Sequence, residues 1–404
     1  MTPANVILVG APDGPRIIAF QDALARCGHE AGVVMSYADL LKNPDSLAVK
    51  CSPSTWMQFT SPDRDAETLH ALYQAGEAMA REHGYPALNS DEAQAAVDTR
   101  GLLGAPAQLA MGLNCAILKA GHIAQHTGAR MSAHPKEIAL AFDKTASMAR
   151  LNACGVPVPR QLGVVGGFDD LVEKMQAAAT QRVFLKMRFG SSAAAMIALM
   201  MSKSGRVCAY TTAEISASGD VYTTRRVAKL EQLSQVRELV NRLAPDGLHG
   251  EVWIPKAGVA NHICDLRVIT ISGAPLFNVL RMSHHPMTNL HLGGKRGTVE
   301  QLQARLAPED WRAMIKSCRK VAALFPATQA LGIDVAIHAN LRDHAVLEVN
   351  AFGDFVKDVR YNGWTPQDWQ ISKMSISEMS NEQDKTGSCR NEGVGHERDQ
   401  CSSM

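Results

Sequence analysis

The sequence lacks a charge excess, and it lacks an apolar run long enough to cross a membrane. Its 404 residues carry 41 lysines and arginines against 40 aspartates and glutamates, a formal net charge of +1. Such a balance favours neither nucleic acid nor an anionic membrane surface. The apolar runs at residues 6–9 and 193–201 are far shorter than a bilayer span, and Met1 to Asn5 include no basic residue of the kind that opens a signal peptide. We therefore expect neither a nucleic-acid nor a membrane partner.

Paired cysteine motifs are also missing. The nine cysteines are scattered, their number is odd, and no Cys-x-x-Cys occurs. This pattern argues against both a zinc knuckle and a disulfide framework. It is typical of a reducing compartment, and we expect a cytoplasmic protein.

The N-terminal region lacks the dinucleotide-binding motif Gly-x-Gly-x-x-Gly. Its first residues follow a strand, helix and strand pattern that ends near Tyr37. In the first turn, however, Pro12 and Pro15 remove backbone donors that a pyrophosphate would need. We interpret residues 1–130 as an α/β domain on the substrate side of the molecule. A long helix is predicted at residues 65–83, followed by glycine, proline and alanine without a clear element.

Length and composition indicate an ordinary globular protein of two or three domains. The chain is 46% hydrophobic and 20% charged, and 404 residues exceed what one compact core usually accommodates. Regular alternation of helices and strands resumes near Lys136 and continues to about Trp369. Beyond Ile371 polar residues predominate and branched aliphatic residues are almost absent. We therefore expect residues 371–404 to form a disordered tail.

Two carboxylates and an amide are predicted to converge on one hairpin. Strand-like runs flank a polar turn at residues 339–343. In a symmetric hairpin centred on Leu341, Asp334 lies opposite Glu348, and Asn350 shares the face of Glu348. Opposed carboxylates about 5 Å apart repel each other, and a divalent cation is the simplest remedy. The alternative is a solvated hairpin whose acidic residues face water, and a one-residue bulge would break the symmetry.

Two lysines lie beside elements suited to phosphate binding. Asp143 is predicted to cap a helix that begins at Lys144 and ends before Gly155, which places the lysine at the positive end of the helix dipole. Lys186 follows an apolar strand and precedes a loop of small residues at 190–193, whose backbone N–H groups can approach phosphate oxygens. For either lysine alone, an ordinary surface lysine remains the alternative.

The order of these elements resembles the ATP-grasp superfamily over residues 131–370. The chain is similar to the branch of RimK-type amino-acid ligases and glutathione synthetases, and it resembles more closely still a bacterial ATP-grasp group of unassigned substrate. The matching positions in chain order are Lys144, Lys186 with its loop, Glu251-Val252-Trp253-Ile254, Asp265-Leu266-Arg267, Arg281, Asn289-Leu290-His291 with Gly293-Gly294, Asp334, and Glu348-x-Asn350. So many elements in order are more specific than a single motif. The loop has less glycine than is common in relatives, so we expect a looser phosphate contact or a less mobile loop.

The resemblance implies an α/β (α+β) ATP-grasp fold, with a small lobe at about 144–250 and a C-terminal lobe at about 251–370 around the nucleotide. It also implies ATP and one or two Mg²⁺ ions as cofactors. The implied ligand sets are Lys144, Lys186, Gly190, Ser191 and Ser192 for the phosphates, the backbone of Glu251, Val252, Trp253 and Ile254 for adenine, and Asp334, Glu348 and Asn350 for the metal.

The activity implied by the resemblance is that of an ATP-dependent carboxylate–amine ligase. Such an enzyme forms an acyl phosphate, from which an amine displaces phosphate. Arg267 and Arg281 are assigned to the substrate carboxylate and the acyl phosphate, because a guanidinium matches a planar oxyanion. For Arg281 alone, a surface ion pair is an equal alternative. Asn289, with Gly293-Gly294, would offer donors to the same anion. The expected partners are ATP with a small carboxylate and an amine, or a peptide. Two alternatives stay open: a phosphotransferase on the same scaffold, and a nucleotide-binding module without activity.

Overall fold

The computed structural model describes residues 5–62, 65–353 and 356–374. In this part the chain forms three sheets in succession along the sequence. The first has four parallel strands, and each of the other two has six strands in antiparallel pairs. Helices pack on all three sheets, and the predicted α/β (α+β) class is confirmed.

The N-terminal domain is a parallel sheet with helices on both faces. Its strand order is β2-β1-β3-β4, and it opens with the predicted β-α-β unit. The elements are β1 (Asn5–Val9), α1 (Pro15–Arg26), β2 (Val33–Met35), α2 (Tyr37–Lys42), α3 (Asp45–Ala48), β3 (Thr55–Phe59), α4 (Ala66–Glu82), α5 (Ser90–Asp98), α6 (Pro106–Thr127), β4 (Arg130–Met131) and α7 (Pro135–Phe142). The long helix predicted at residues 65–83 is α4, and Asp65 caps it by accepting from the Thr68 backbone N–H.

One long helix of this domain is missing from the sequence prediction. Helix α6 has 22 residues and begins where we expected no clear element. An amphipathic helix is recognised in a sequence by an apolar face opposite a polar face. In α6, small apolar residues occur on most sides of the helix, so the two faces are hard to distinguish. A Cβ atom on Gly112 would lie 1.8 Å from the carbonyl oxygen of Leu72, and one on Gly76 would lie 2.0 Å from that of Gln108. These glycines let α4 and α6 pack with their backbones almost in contact.

The second sheet follows helix α8 (Lys144–Ala153). Its elements are β5 (Gln161–Val165), α9 (Phe168–Ala177), β6 (Arg182–Met187), β7 (Ile197–Met201), β8 (Val207–Ile215), β9 (Val221–Leu230), α10 (Leu233–Leu243) and β10 (Leu248–Val252). The strand order is β5-β10-β6-β7-β8-β9, with every pairing antiparallel. Alternate residues of β6, such as Leu185, pack under α9 and α10. Since side chains alternate along a strand, Phe184 and Lys186 face the other way, toward the third sheet.

The outer edge of the second sheet is tied to the N-terminal domain. Leu103 N–H donates to the carbonyl of Val221 at 2.9 Å, and Thr223 N–H donates to that of Gly101 at 2.7 Å. A short segment between α5 and α6 therefore extends the sheet beside β9 and covers part of its exposed edge.

The third sheet carries charged residues on one face and apolar residues on the other. Its elements are β11 (Gly258–Val259), β12 (His262–Ile271), β13 (Ala274–Ser283), β14 (Lys295–Gly297), α11 (Val299–Gln303), α12 (Pro308–Ala323), β15 (Ala330–Ile337) and β16 (His344–Asn350). The order is β14-β13-β12-β15-β16, with β11 beside β12. Leu266 and Val268 belong to the core that contains apolar residues of α12. Alternation along β12 places Asp265 and Arg267 on the opposite face.

The C-terminal boundary differs from the prediction. Residues 366–374 are helical, and Ile371 and Met374 are only 1% and 2% exposed. They pack against residues of β1 and α1 and against Trp56. The prediction that a disordered tail begins at residue 371 is therefore wrong for residues 371–374, which are helical. The rest of the predicted tail, 375–404, lies outside the described residues. In the described part, no helix combines the length and apolar character that a bilayer span requires.

Candidate active site

A cleft opens where the second and third sheets face each other. The chain crosses between them after β10, and Ala257 N–H donates to Ile337 carbonyl at 2.7 Å while Ala339 N–H donates to Pro255 carbonyl at 2.8 Å. These bonds fix the crossing segment to the end of β15. The space in this first cleft, open solvent included, is about 680 Å³. Its walls include Lys144, Phe184, Lys186, Gly190, Met196, Glu251, Trp253, Ile254, Lys256, Asp265, Arg281, Met287, Asn289, Asp334, Leu347 and Glu348.

Lys144 is placed by the first turn of α8. The Asp143 carboxylate accepts from Ala146 N–H at 3.1 Å, so the predicted helix cap is confirmed. Arg188 holds that carboxylate with bonds of 2.8 and 2.6 Å. The Lys144 ammonium is buried, lies 3.0 Å from Glu348 Oε1 and also donates to the Gly190 carbonyl. The lysine is therefore held inside the cleft and is not an ordinary surface side chain.

Lys186 lies within β6 and is buried as well. Its Nζ is 2.6 Å from Glu251 Oε1 and donates to the Leu347 carbonyl at 3.0 Å. Burial raises the pKa of Glu251, and Lys186 offsets part of that rise. The second carboxylate oxygen of Glu251 has no hydrogen-bond partner among the described residues. The pair therefore places a charged ammonium and an unsatisfied acceptor at the floor of the cleft.

The β15–β16 hairpin has the predicted register at its acidic residues. Asp334 lies directly opposite Glu348, and Asn350 lies opposite Gly332. A one-residue bulge is present, but the extra residue is Leu347, on the turn side of the acidic pair. The hairpin turn is offset by one residue from the symmetric arrangement, and the bulge restores the opposition. The Asn350 amide nitrogen donates to the Gly332 carbonyl at 3.1 Å.

Basic side chains of the protein itself neutralise the two carboxylates. Both oxygens of Asp334 accept from Arg267, and Arg281 Nη2 lies 3.2 Å from Asp334 Oδ1. Burial raises the pKa of Glu348, but Lys144, Lys186 and Arg267 together outweigh burial, and the pKa is lowered. A metal is therefore not needed to offset the repulsion, which corrects the electrostatic argument made from sequence. The described residues contain no group of three or more His, Cys, Asp or Glu arranged to hold a metal ion; the predicted set has two carboxylates and an amide.

Asp265 is the centre of a buried network that the sequence did not reveal. It accepts from Lys256 at 2.9 Å, from Arg281 Nε at 2.8 Å and from the Thr288 hydroxyl. Burial raises its pKa, but Arg281 and Lys256 outweigh burial and hold the pKa well below the usual range. The available signal was position: Asp265 is two residues from Arg267 and so shares its face of β12. The network orients Arg281 and anchors the segment that leads to Asn289.

The small-residue loop after β6 has an unusual backbone. Ser192, Ala193 and Ala195 have φ of 52°, 59° and 48°, the left-handed region that glycine adopts most easily. Thr212 supports it by donating to the Ala193 carbonyl at 2.8 Å. A ring nitrogen of His291 lies 2.8 Å from the Ser192 carbonyl, which joins the loop to the segment beside the third sheet. Gly190 and Ser191 begin the loop next to Lys144.

The predicted adenine segment is only partly available. The backbone N–H groups of Val252 and Trp253 donate to carbonyls of Arg160 and Arg182 at 2.8 and 3.1 Å, so the sheet occupies them. The side chain of Glu251, paired with Lys186, faces the cleft. Among the described residues, no hydrogen bond occupies the Ile254 N–H, which lies on the crossing segment. Of the three N–H groups of Val252, Trp253 and Ile254, the one on Ile254 is left to bind a base.

A second, wider cleft adjoins the first one at Lys144, Gly190, Arg281, Asn289 and Glu348. It has about 1390 Å³ of space, open solvent included. Its walls bring together the N-terminal domain and the third sheet, and they include Arg16, Ser61, Phe142, Ser191, Ser192, Arg267, His291, Arg296, Asn350, Phe352 and Val356. The residues predicted for phosphates, substrate and metal therefore all line one continuous cavity system.

No family model matches the chain, and no curated protein matches it. Solved structures do match. The ATP-grasp ligase PsnB, solved with a phosphomimetic variant of its minimal precursor, Mg and ADP, has a TM-score of 0.52 and 14% identity over 92% of this chain and 100% of PsnB. The macrocyclase MdnC of Microcystis aeruginosa, bound to precursor peptide MdnA, has a TM-score of 0.52 and 11% identity over 93% of this chain and 100% of MdnC.

A third match is the ADP complex of PurK, an N5-carboxyaminoimidazole ribonucleotide synthetase. Its TM-score is 0.52 and its identity 12%, over 93% of this chain and 77% of PurK. These three proteins are similar to the chain along most of its length, although their sequences differ widely. The protein described here has the ATP-grasp fold.

Proposed function

We propose that this protein is an ATP- and magnesium-dependent carboxylate–amine ligase of the ATP-grasp superfamily, in the RimK-type and glutathione-synthetase-like branch. The observation that carries the proposal is the convergence of Lys144 and Lys186, from two separate elements, in one cleft between two antiparallel sheets. Buried ammonium groups suit the phosphates of a nucleotide. PsnB with Mg and ADP, and PurK with ADP, support the same cofactors here.

The first cleft divides into an apolar part and a charged part, as a nucleotide requires. Phe184, Met196, Trp253 and Met287 line the apolar part, where the base would lie within reach of the Ile254 backbone. The phosphates would lie against the two lysines and the backbone of Gly190, Ser191 and Ser192. Because Lys144 and Lys186 are each paired with a carboxylate, ATP would compete with those carboxylates for the ammonium groups.

Asp334, Glu348 and Asn350 are the residues that would hold magnesium. Carboxylate and amide oxygens are donors that this ion accepts, together with phosphate oxygens and water. Since the amide nitrogen of Asn350 is bound to Gly332, its Oδ1 is the atom suited to the metal. Asp334 would contribute through lone pairs that Arg267 does not use. The ion, when bound, would neutralise charge on the phosphates.

The proposed reaction has two steps. First, an oxygen of the substrate carboxylate attacks the γ-phosphorus of ATP, the bond to the β,γ-bridging oxygen breaks, and ADP leaves. Second, the amine nitrogen attacks the acyl carbon, the carbon–oxygen bond to phosphate breaks, and the nitrogen loses a proton. Arg267, Arg281 and Asn289 would hold the carboxylate and stabilise the charge on the transferred group, so the site would act by position and electrostatics.

The second cleft is large enough for a carboxylate substrate bigger than a single amino acid. Its guanidinium groups favour a carboxylate over the neutral hydroxyl that a phosphotransferase would use. A peptide is supported by the volume of the cleft and by PsnB and MdnC, which were solved with precursor peptides.

The test is turnover of Mg-ATP by the purified protein with pools of amino acids and peptides. We expect release of ADP and phosphate that requires both a carboxylate and an amine, and mass spectrometry should find the amide product. A phosphorylated product without free phosphate would instead identify a phosphotransferase. Tight ATP binding with no turnover in any pool would indicate a binding module.

A further inference from the structure

Arg296 adds to the second cleft a cation that the proposed reaction does not use. It lies on the edge strand β14, directly opposite Arg281 on β13. Side chains at directly opposed positions share one face of the sheet with Cβ atoms about 5 Å apart, and like charges there are destabilising. An arrangement of this kind is stabilised when an anion lies near both guanidinium groups.

The two arginines differ in how their charge is compensated. Arg281 is buried and is paired with Asp265 at 2.8 Å and with Asp334 at 3.2 Å. Arg296 is exposed, and its side chain donates to the backbone carbonyl of Lys357. Within the part of the chain that the structure describes, no carboxylate pairs with Arg296. A backbone carbonyl satisfies a donor but does not neutralise a full charge.

The two clefts also differ in charge. The first is lined by the carboxylates of Glu251, Asp265, Asp334 and Glu348 and by an equal number of cations, Lys144, Lys186, Lys256 and Arg281. The second is lined by the cations Arg16, Lys144, Arg267, Arg281 and Arg296, while Glu348 is the one carboxylate among its described residues. A cleft lined mainly by one sign of charge concentrates ligands of the opposite sign. Within this cleft, carboxylates of the protein pair with Lys144, Arg267 and Arg281. Arg296 is paired with no carboxylate of the described residues, so its charge is the one that an additional anionic group of the ligand would meet.

We propose that the acceptor substrate carries a second anionic group, a carboxylate or a phosphate, and that Arg296 binds it. The proposal rests on the proposed function, because it leaves the reacting carboxylate to Arg267 and Arg281. Arg296 lines the second cleft and is absent from the lining of the first cleft, where the nucleotide would bind. Its guanidinium can form two parallel hydrogen bonds to either kind of anionic group. The acceptor class is then a molecule with at least two anionic groups, such as an acidic peptide.

The test uses three peptides blocked at both ends: Glu-Ala-Glu, Glu-Ala-phosphoserine and Glu-Ala-Gln. Each is titrated calorimetrically into full-length protein saturated with Mg²⁺ and a non-hydrolysable ATP analogue. At least one doubly anionic peptide should bind about tenfold more tightly than Glu-Ala-Gln, the fold-change expected for one charge-assisted contact. The doubly anionic peptide with the larger gain in affinity over Glu-Ala-Gln shows whether Arg296 binds a carboxylate or a phosphate.

Two variants of Arg296 and one control variant separate a specific contact from an effect of general charge. Arg296→Gln should abolish the preference for doubly anionic peptides, and Arg296→Lys should keep part of it. Lys295→Gln is the matched control, because Lys295 is the exposed neighbour whose side chain alternates to the other face of β14. It loses the same charge and should keep the preference. Thermal unfolding of all three variants checks that each is folded.

Three results would overturn the inference. The first is that Arg296→Gln and Lys295→Gln lose the preference for doubly anionic peptides to the same extent. The second is that the parent binds all three peptides with equal affinity. The third is that neither doubly anionic peptide binds at millimolar concentration. Affinity for the ATP analogue is measured in the same samples. Failure to bind the analogue counts against the proposed function, whereas normal analogue binding without a peptide preference counts only against the role of Arg296.

Discussion

The ammonium group of Lys186 donates a hydrogen bond to the backbone carbonyl of Leu347 at 3.0 Å. Leu347 is the bulged residue of the β15–β16 hairpin, and a bulge leaves one residue of the ladder without a partner across the strand. The bond therefore joins the second sheet to the third at a point where regular pairing is interrupted. The lysine that we assign to ATP is positioned by both sheets.

Replacing Lys186 by Met should weaken ATP binding by on the order of 1.5–3 kcal/mol, because a charge-assisted contact is lost. It should also lower the melting temperature, since Glu251 would stay buried without its cation. Calorimetric ATP affinity and thermal unfolding measure the two effects.

The double variant Lys186→Met with Glu251→Gln is the control for this prediction. It removes the Glu251 carboxylate that would otherwise stay buried without a cation, and it should recover most of the lost thermal stability. ATP affinity should stay weak, because Lys186 is still absent. An ATP affinity equal to that of the parent in Lys186→Met would remove this lysine from the nucleotide site.

Local rules were sufficient for several features of this site. The Asp143 cap depends on a residue type at a helix start, and the opposition of Asp334 and Glu348 depends on strand alternation. The bulge at Leu347 was not placed by sequence, yet it left that opposition intact because the turn is offset by the same one residue. Two deviations from the symmetric hairpin cancelled.

Features that depend on distant contacts were not predictable. Helix α6 is stabilised by close packing against α4. The small residues of α6 do not by themselves indicate this packing partner. The burial of Asp265 with Lys256 and Thr288 arises from three separate segments that meet only in the folded chain. Arg267 and Arg281 were assigned to substrate, and their contacts to Asp334 became visible only in three dimensions.

Replacing Glu348 by Gln should abolish turnover while the protein stays folded, because the change removes a charge and keeps the volume. Lys144 would lose its carboxylate partner, and the proposed metal site would lose one of its two charged ligands. Steady-state turnover measured with increasing magnesium provides the check. Asp343→Asn, in the exposed turn of the same hairpin, is the control and should leave turnover unchanged. Parent-like turnover of Glu348→Gln at saturating magnesium would contradict the assignment.

Asp246, in the turn between α10 and β10, should make stability depend on pH. Burial raises its pKa from the ordinary 3.8 to about 7. Between these values the folded protein retains a proton that the unfolded chain releases, so stability falls as pH rises toward 7 and then levels off. Asp246→Asn removes this dependence, and its melting temperature relative to the parent should therefore be higher at pH 8 than at pH 5. Asp22→Asn, a change at an exposed position of α1, is the control and should show no such trend. If the melting temperature of Asp246→Asn relative to the parent were the same at pH 5 and pH 8, the raised pKa of Asp246 would be contradicted.

Two truncations should separate the contribution of the C-terminal helix, residues 366–374, from that of residues 375–404. A chain ending at Gln370 loses Ile371 and Met374, which are 1% and 2% exposed. Burying such a side chain contributes about 1.5–3 kcal/mol, and each 1 kcal/mol shifts the melting temperature of a large domain by about 2–4 °C. A fall of roughly 6 °C or more is therefore expected.

A chain ending at Met374 keeps both side chains. It should melt within about two degrees of the full chain and keep its turnover, because the composition of residues 375–404 offers little apolar surface to bury. If this second truncation stayed as stable as the full chain but lost turnover, those residues would have to act as a lid or bind a partner.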